Sequence, residues 1–189
     1  MIITQSHCEV CAVSLRDVEE AVCTLIASRP RIVSLTPNGL LDLFLGITEI
    51  AEALDVAPRG RELNARLQAR IDAISERARG LPKKTVAMIE WIEPLMAAGN
   101  WMPTLCELAG GISLFGAAGQ HSPWMTFAEL AARDPEVIVV LPCGFDIPRT
   151  ESELPALTAQ PGFSSLRAVK SGSVYVADGN QYFNRPGPR

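Results

Sequence analysis

His7, Cys8 and Cys11 fall within five residues of one another. An imidazole beside two thiols is a donor set for a soft metal. A closed structural zinc site takes four ligands, yet the chain has no second CxxC and its other histidine, His121, lies far along the sequence. Cys8-x-x-Cys11 also has the spacing of a redox pair. Three readings stay open here: loop-lining cysteines, a metal or ligand contact, and a redox couple. Cys143-Gly144 offers a nucleophile position whose candidate bases are His7 and His121. Glu90 and Glu93 are three apart, but Pro94 and the change from strand to loop work against a paired-carboxylate geometry. The chain has no GxSxG elbow and no GxxxxGK[ST] phosphate loop, so the motifs of hydrolases and nucleotide enzymes are missing. His121 is either exposed or a contact to a metal within a ligand. The chain is expected not to be an enzyme.

A different group of residues suits binding: Trp91, Met96, Trp101, Phe145, Tyr182 and Phe183. Their value depends on the elements that carry them. Met1 to Thr4 is a short strand, Ser14 caps a helix to about Ile26, and Arg31 to Leu35 is a second strand. Gly39 to about Leu54 is a strongly apolar helix. Leu63, Leu67, Ile71, Ile74 and Ala78 recur at helical spacing among many charges, one stripe on a long polar helix. Beyond Gly80-Leu-Pro82 come strands at Thr85–Glu90, Ile112–Phe115, Val137–Leu141 and Gly172–Ala177. Helices at Trp101–Ala109, Thr126–Arg133 and Ser152–Ala159 alternate with them. VIVVL at 137–141 is apolar throughout, as a buried parallel strand is. This alternation gives an α/β class with a mostly parallel sheet. Such sheets present ligands at the carboxyl ends of their strands, where the aromatic residues gather. An aromatic rim with few charges suits a large, flat, partly apolar ligand.

The 189 residues carry a formal net charge of -4, which gives no basic field for nucleic acid. No run approaches the roughly 18 apolar residues of a membrane span. The opening MIITQSHCEV lacks the basic and apolar regions of a signal peptide. The chain as written is therefore expected to stay where it is made, and five scattered cysteines fit a reducing compartment.

IEWIEPLMAAGNWMPTLCELAGG (89–111), DPEVIVVLPCGF (134–145) and VYVADGNQYFNRPGPR (174–189) together resemble the cobalamin-binding branch of ABC-transporter substrate-binding proteins. TQSHCEVCAVS (4–14) is similar to a segment late in that family's first lobe. The resemblance implies the helical-hinge (class III) periplasmic binding protein fold, two parallel-sheet α/β lobes joined by one long helix. It divides the chain into a partial first lobe (1–57), an inter-lobe helix (58–81) and a second lobe (82–189). It implies capture of cobalamin or a related corrinoid between the lobes for delivery to an ABC permease, with no cofactor required and no covalent chemistry. Tyr182 and Phe183 fall where relatives stack on the corrin, Trp91 to Met96 where a loop lends apolar contact, and Arg185 where a polar contact is expected. Glu62, Glu107 and Glu151 are candidates for docking the permease. Relatives carry a leader and further first-lobe strands upstream and a closing helix downstream. Much of the first lobe and that helix are thus expected to be missing, with a homodimer as one way to complete the lobe. The resemblance places the work in the periplasm or outside the cell. The alternative is a cytoplasmic metal, heme or corrinoid carrier, or a redox or metal protein, using His7, Cys8 and Cys11.

Overall fold

The computed structural model describes residues 1–5, 15–25 and 30–183. The chain divides into two units, Met1–Ile71 and Asp72–Arg189.

In the first unit, β1 (Ile2–Gln5) and β2 (Ile32–Leu35) pair in parallel, Ile2 opposite Ile32 and Gln5 opposite Leu35. Helix α1 (Leu15–Leu25) connects them in sequence. The next helix, α2 (Leu40–Ala53), opens where the Asp42 carboxylate accepts from the amides of Asn38 (3.0 Å) and Gly39 (2.8 Å), pairing donors that a helix start leaves without partners. Helix α3 (Ala57–Ala78) starts against it. A Cβ at Gly60 would sit 2.5 Å from the Ala51 Cβ, so only glycine lets the helices approach this closely. Asn64 fixes the same contact, its amide nitrogen donating to the Phe44 carbonyl (2.9 Å) and the Thr48 hydroxyl (3.0 Å). Two sequence features of α2 diverge: Ala51 is buried, whereas Leu41 is 69% exposed and Leu45 51% exposed.

The second unit is built on a five-stranded sheet ordered β4-β3-β6-β7, with β5 also on β3. Strand β3 (Lys84–Trp91) is its axis. One edge of β3 carries β5 (Gly111–Ser113), parallel, along its first half and β4 (Met96–Ala97), antiparallel, along its second. The other edge carries β6 (Val137–Val140), parallel, followed by β7 (Val174–Val176). Ala87, Ile89, Ile138 and Val140 have no exposed surface, and they form a core with Leu130, Leu157, Phe163, Leu166 and Ala168. At the amino ends of the strands, Glu136 accepts from Lys84 Nζ (2.9 Å) and the Thr85 amide (3.1 Å). These donors pull its carboxyl down to about 2.

Helix α4 (Met102–Leu108) follows β4. Helix α5 (Phe127–Arg133) has a capping box, with the Thr126 hydroxyl accepting from the Glu129 amide and the Glu129 carboxylate accepting from the Thr126 amide. The helix placed by sequence at Ser152–Ala159 is corrected: α6 runs Ile147–Glu153 and α7 Pro155–Thr158. Asp146 accepts from the Arg149 amide at 2.9 Å and starts α6 before Ser152, and Pro155 then begins a new helix, since proline suits a first turn and interrupts an interior. Sequence periodicity also passed over three short elements: a 3-10 turn at Phe163–Ser165, α8 (Arg167–Lys170) and a π-helical turn at Gly179–Phe183. Among the described residues no helix is long and apolar enough to cross a membrane.

Candidate functional site

The carboxyl ends of β3, β6 and β7 lie side by side and bring their following loops together. The Cys143 amide donates to the Glu90 carbonyl (3.0 Å), continuing the β6–β3 pairing past the strand, and the Asn180 amide donates to the Phe145 carbonyl (3.0 Å). Trp91 and Phe145 meet with ring centroids 5.1 Å apart at a tilt of 57°. The Trp91 indole N–H is tied to the Glu93 carbonyl at 3.0 Å, which fixes the ring. The Arg149 guanidinium lies 4.7 Å from the Phe145 centroid, a cation–π contact that holds Phe145 from one side while Trp91 holds it from another.

The last turn is anchored from below. Trp101 is only 5% exposed, and its indole N–H donates to the Phe183 carbonyl at 2.9 Å. Asp178 accepts from the Gln181 amide at 2.6 Å. On this base Tyr182 stands 46% exposed, its ring edge-on to Phe183 at 6.5 Å. Of the six aromatic and thioether positions expected at the rim, Trp91, Met96, Phe145 and Phe183 are half-buried, Tyr182 is exposed and Trp101 is inside. Arg185, His7, Cys8 and Cys11 lie outside the described residues.

Beside β3 a polar cluster pins one further loop. The Ser122 hydroxyl donates to Glu90 Oε2 (2.8 Å) and accepts from the Gly99 amide (3.0 Å), and Ser122 is 4% exposed. Gly99 permits this seat, because a Cβ there would stand 2.6 Å from the Gln120 carbonyl oxygen and 2.6 Å from the Ser122 amide. Burial raises the Glu90 carboxyl above its ordinary range, while the Ser122 hydroxyl, the Gly99 amide and the charge of His121 pull partly back. His121 itself is exposed, its Nδ1 donating to the Ser122 carbonyl at 2.9 Å. Sequence patterning carries no sign of the Glu90–Ser122 pairing, a contact between residues 32 apart, and the Arg149 cation over Phe145, four residues before it, went unread.

Among the described residues no group of three His, Cys, Asp or Glu side chains is placed to hold a metal ion. Burial, aided by Glu107, pushes the Cys106 thiol up to about 11, where it is a poor nucleophile. A cavity of about 190 Å³ lies among Ile92, Pro94, Leu95, Met125, Phe127 and Leu157. That is smaller than the roughly 300–1,000 Å³ of ligand pockets.

The family model described as periplasmic binding protein matches residues 15–180. Among solved structures, an ABC transporter substrate-binding protein from Listeria monocytogenes EGD-e superimposes with a TM-score of 0.78 at 16% identity, over 95% of this chain and 68% of that one. A periplasmic heme-binding protein from Roseiflexus sp. RS-1, in apo form, gives 0.76 at 21% identity over 100% and 70%. The periplasmic vitamin B12 binding protein of Vibrio cholerae gives 0.69 at 13% identity over 99% and 68%. The chain spans 59% of the length of another, a periplasmic binding protein from Veillonella parvula dsm 2008. No curated protein matches it in sequence. At these identities the structures establish the fold, the α/β architecture of class III periplasmic binding proteins.

Proposed function

The chain belongs to the periplasmic binding protein family, and from that premise we propose that it is the substrate-binding component of an ABC transporter. Its ligand is cobalamin or a related planar, metal-bearing macrocycle, handed on to a membrane permease in the periplasm or outside the cell. The family is one of binding proteins, not catalysts, and the rim matches that role. The observation that carries the reading is the ordered set of Trp91, Phe145 and Tyr182 at the carboxyl ends of the sheet. The Trp91 indole is tied to a backbone carbonyl, the Phe145 ring is packed by Trp91 and the Arg149 cation, and the turn that carries Tyr182 is anchored by the Trp101 indole, before any ligand arrives. Pre-set aromatic faces bind flat ring systems without the entropic cost of ordering. The ligands of two structural relatives, vitamin B12 and heme, are both flat macrocycles, which supports the choice of class. Arg185 serves as a polar contact to the ligand's periphery.

The test is an absorbance-monitored titration of the chain with cyanocobalamin, aquocobalamin and heme. Saturable binding of one of them, weakened at least tenfold by Tyr182→Ala, is expected. A folded chain that binds none of the three would refute the ligand class.

A further inference from the structure

Helix α3 holds 22 residues, among them five arginines, no lysine and the acids Glu62, Asp72 and Glu76. Five against three leaves the helix positive in a chain whose formal net charge is -4. The arginines are not spread evenly round it. Arg59, Arg66, Arg70 and Arg77 follow one another at intervals of seven, four and seven residues. At about 100° and 1.5 Å per residue they fall within about 20° of one line and span about 27 Å of helix axis. All four are exposed. The side of α3 that packs, marked by the buried Gly60 and the half-buried Leu67 and Ile71, lies about 100° round from that line.

Helix arginines are stabilised by acids one turn away on the same face. Here the acids stand off the line, Glu62 by about 60°, Glu76 by about 100° and Asp72 by about 140°. Glu76 pairs instead with Arg79 at 2.8 Å. Among the described residues the arginine ion pairs are those of Arg16, Arg79, Arg149 and Arg167. None of the four guanidinium groups on the line is in one. Ile74, about 60° from the line, is 50% exposed and gives the row an apolar neighbour.

Arginine meets phosphate through a planar fork of N–H groups, and four forks in a row call for a run of phosphates. The row is straight, because it follows one helix. A duplex nucleic acid curves away from a straight rod within a few phosphates, whereas a bilayer stays flat along all of it. Lipid headgroups also move sideways, so they can take up uneven intervals of about 10, 6 and 10 Å. Ile74 suits the boundary with the acyl chains, where surface-bound helices place their apolar residues. Salt screens charges beyond about 8–10 Å, so such a surface meets the row rather than the net charge of the chain. We propose that the Arg59, Arg66, Arg70 and Arg77 line of α3 is a docking surface for an anionic membrane, its guanidinium groups taking lipid phosphates. This goes beyond the ligand reading and does not depend on it.

The experiment mixes the full chain and its Arg66→Gln, Arg70→Gln and Arg61→Gln variants with vesicles of phosphatidylcholine, with and without phosphatidylglycerol. Flotation across a vesicle titration reads the bound fraction, and circular dichroism checks each fold. The parent chain is expected to bind the phosphatidylglycerol vesicles, to ignore the neutral ones and to come off as salt is raised. A basic residue near an anionic surface contributes about fivefold to partitioning. Arg66→Gln and Arg70→Gln should therefore each lose about fivefold, and the double variant about 25-fold. Arg61→Gln removes the same charge about 160° away and should change binding less than about twofold. An equal loss from Arg61→Gln would reduce the row to net charge and overturn the proposal. So would a parent chain that ignores anionic vesicles, including one retained instead by polyglutamate, which would assign the row to an acidic protein. A chain that binds a macrocycle but no vesicle sinks this inference and leaves the transport reading standing.

Discussion

Replacing Trp101 by phenylalanine separates two roles that the sequence alone leaves merged. As a bare aromatic near the rim, Trp101 is a candidate ligand contact. In the structure it is 5% exposed and its indole N–H holds the Phe183 carbonyl at 2.9 Å, so it acts as the footing of the turn that carries Tyr182. Trp101→Phe keeps most of the ring volume and deletes that donor. The lost hydrogen bond contributes about 1 kcal/mol net, and a carbonyl left short of a partner costs a further 1 kcal/mol or so when water reaches it only in part. The variant is therefore expected to lose about 2 kcal/mol of stability. Urea unfolding followed by circular dichroism reads this as a lower midpoint at unchanged slope. Affinity for a macrocycle should fall too, as the Tyr182 turn loosens. A ligand-facing indole would give a different signature: weaker binding with stability changed by less than about 0.5 kcal/mol. That second result would refute the anchoring argument.

Four further outcomes follow from local geometry. Leu130→Ala removes a side chain with no exposed surface beside Ile138 and Val140, and should cost about 2–5 kcal/mol in the same unfolding assay. Thr126→Ala breaks the capping box of α5 and should cost about 1 kcal/mol, also readable as faster amide exchange at Glu129. Glu90→Gln tests the buried carboxyl through pH. Its folded pKa is raised above the ordinary 4.5 by burial, so its contribution to stability is present below 4.5 and is lost as pH rises through the raised value. The difference in stability between Glu90→Gln and the parent should grow in favour of the variant across that window, and identical pH profiles would contradict it. Glu136 has the opposite sign: its carboxyl lies near 2, so its contribution is present above 4.5 and lost as pH falls toward 2.

Much of the fold was legible because it is written in short-range pattern. VIVV at 137–140 reads as a strand from its composition, and the helix expected at Thr126–Arg133 is found as α5 at Phe127–Arg133. Elements fixed by contacts between distant residues were not legible. Met96–Ala97 is two residues long and exists because Ile89 and Trp91 lie opposite it, which no periodicity records. The start of α6 was misplaced although its signal was present: Asp146 before Ile147-Pro148 is a capping residue followed by an early proline. The rim shows the same division. That aromatics would collect behind parallel strands was evident from their positions. Which of them would be exposed was not, since nothing in the sequence marks Trp101 as the one whose indole bonds the Phe183 carbonyl and sits inside while Tyr182 stands out.

The most direct test of the central claim is binding itself: titrate the purified full chain with cyanocobalamin, aquocobalamin and heme, with Tyr182→Ala as the matched variant. The account predicts saturable binding of at least one macrocycle by the parent chain and at least tenfold weaker binding by the variant. A folded parent chain that binds none, or a variant that binds as tightly as the parent, would contradict it.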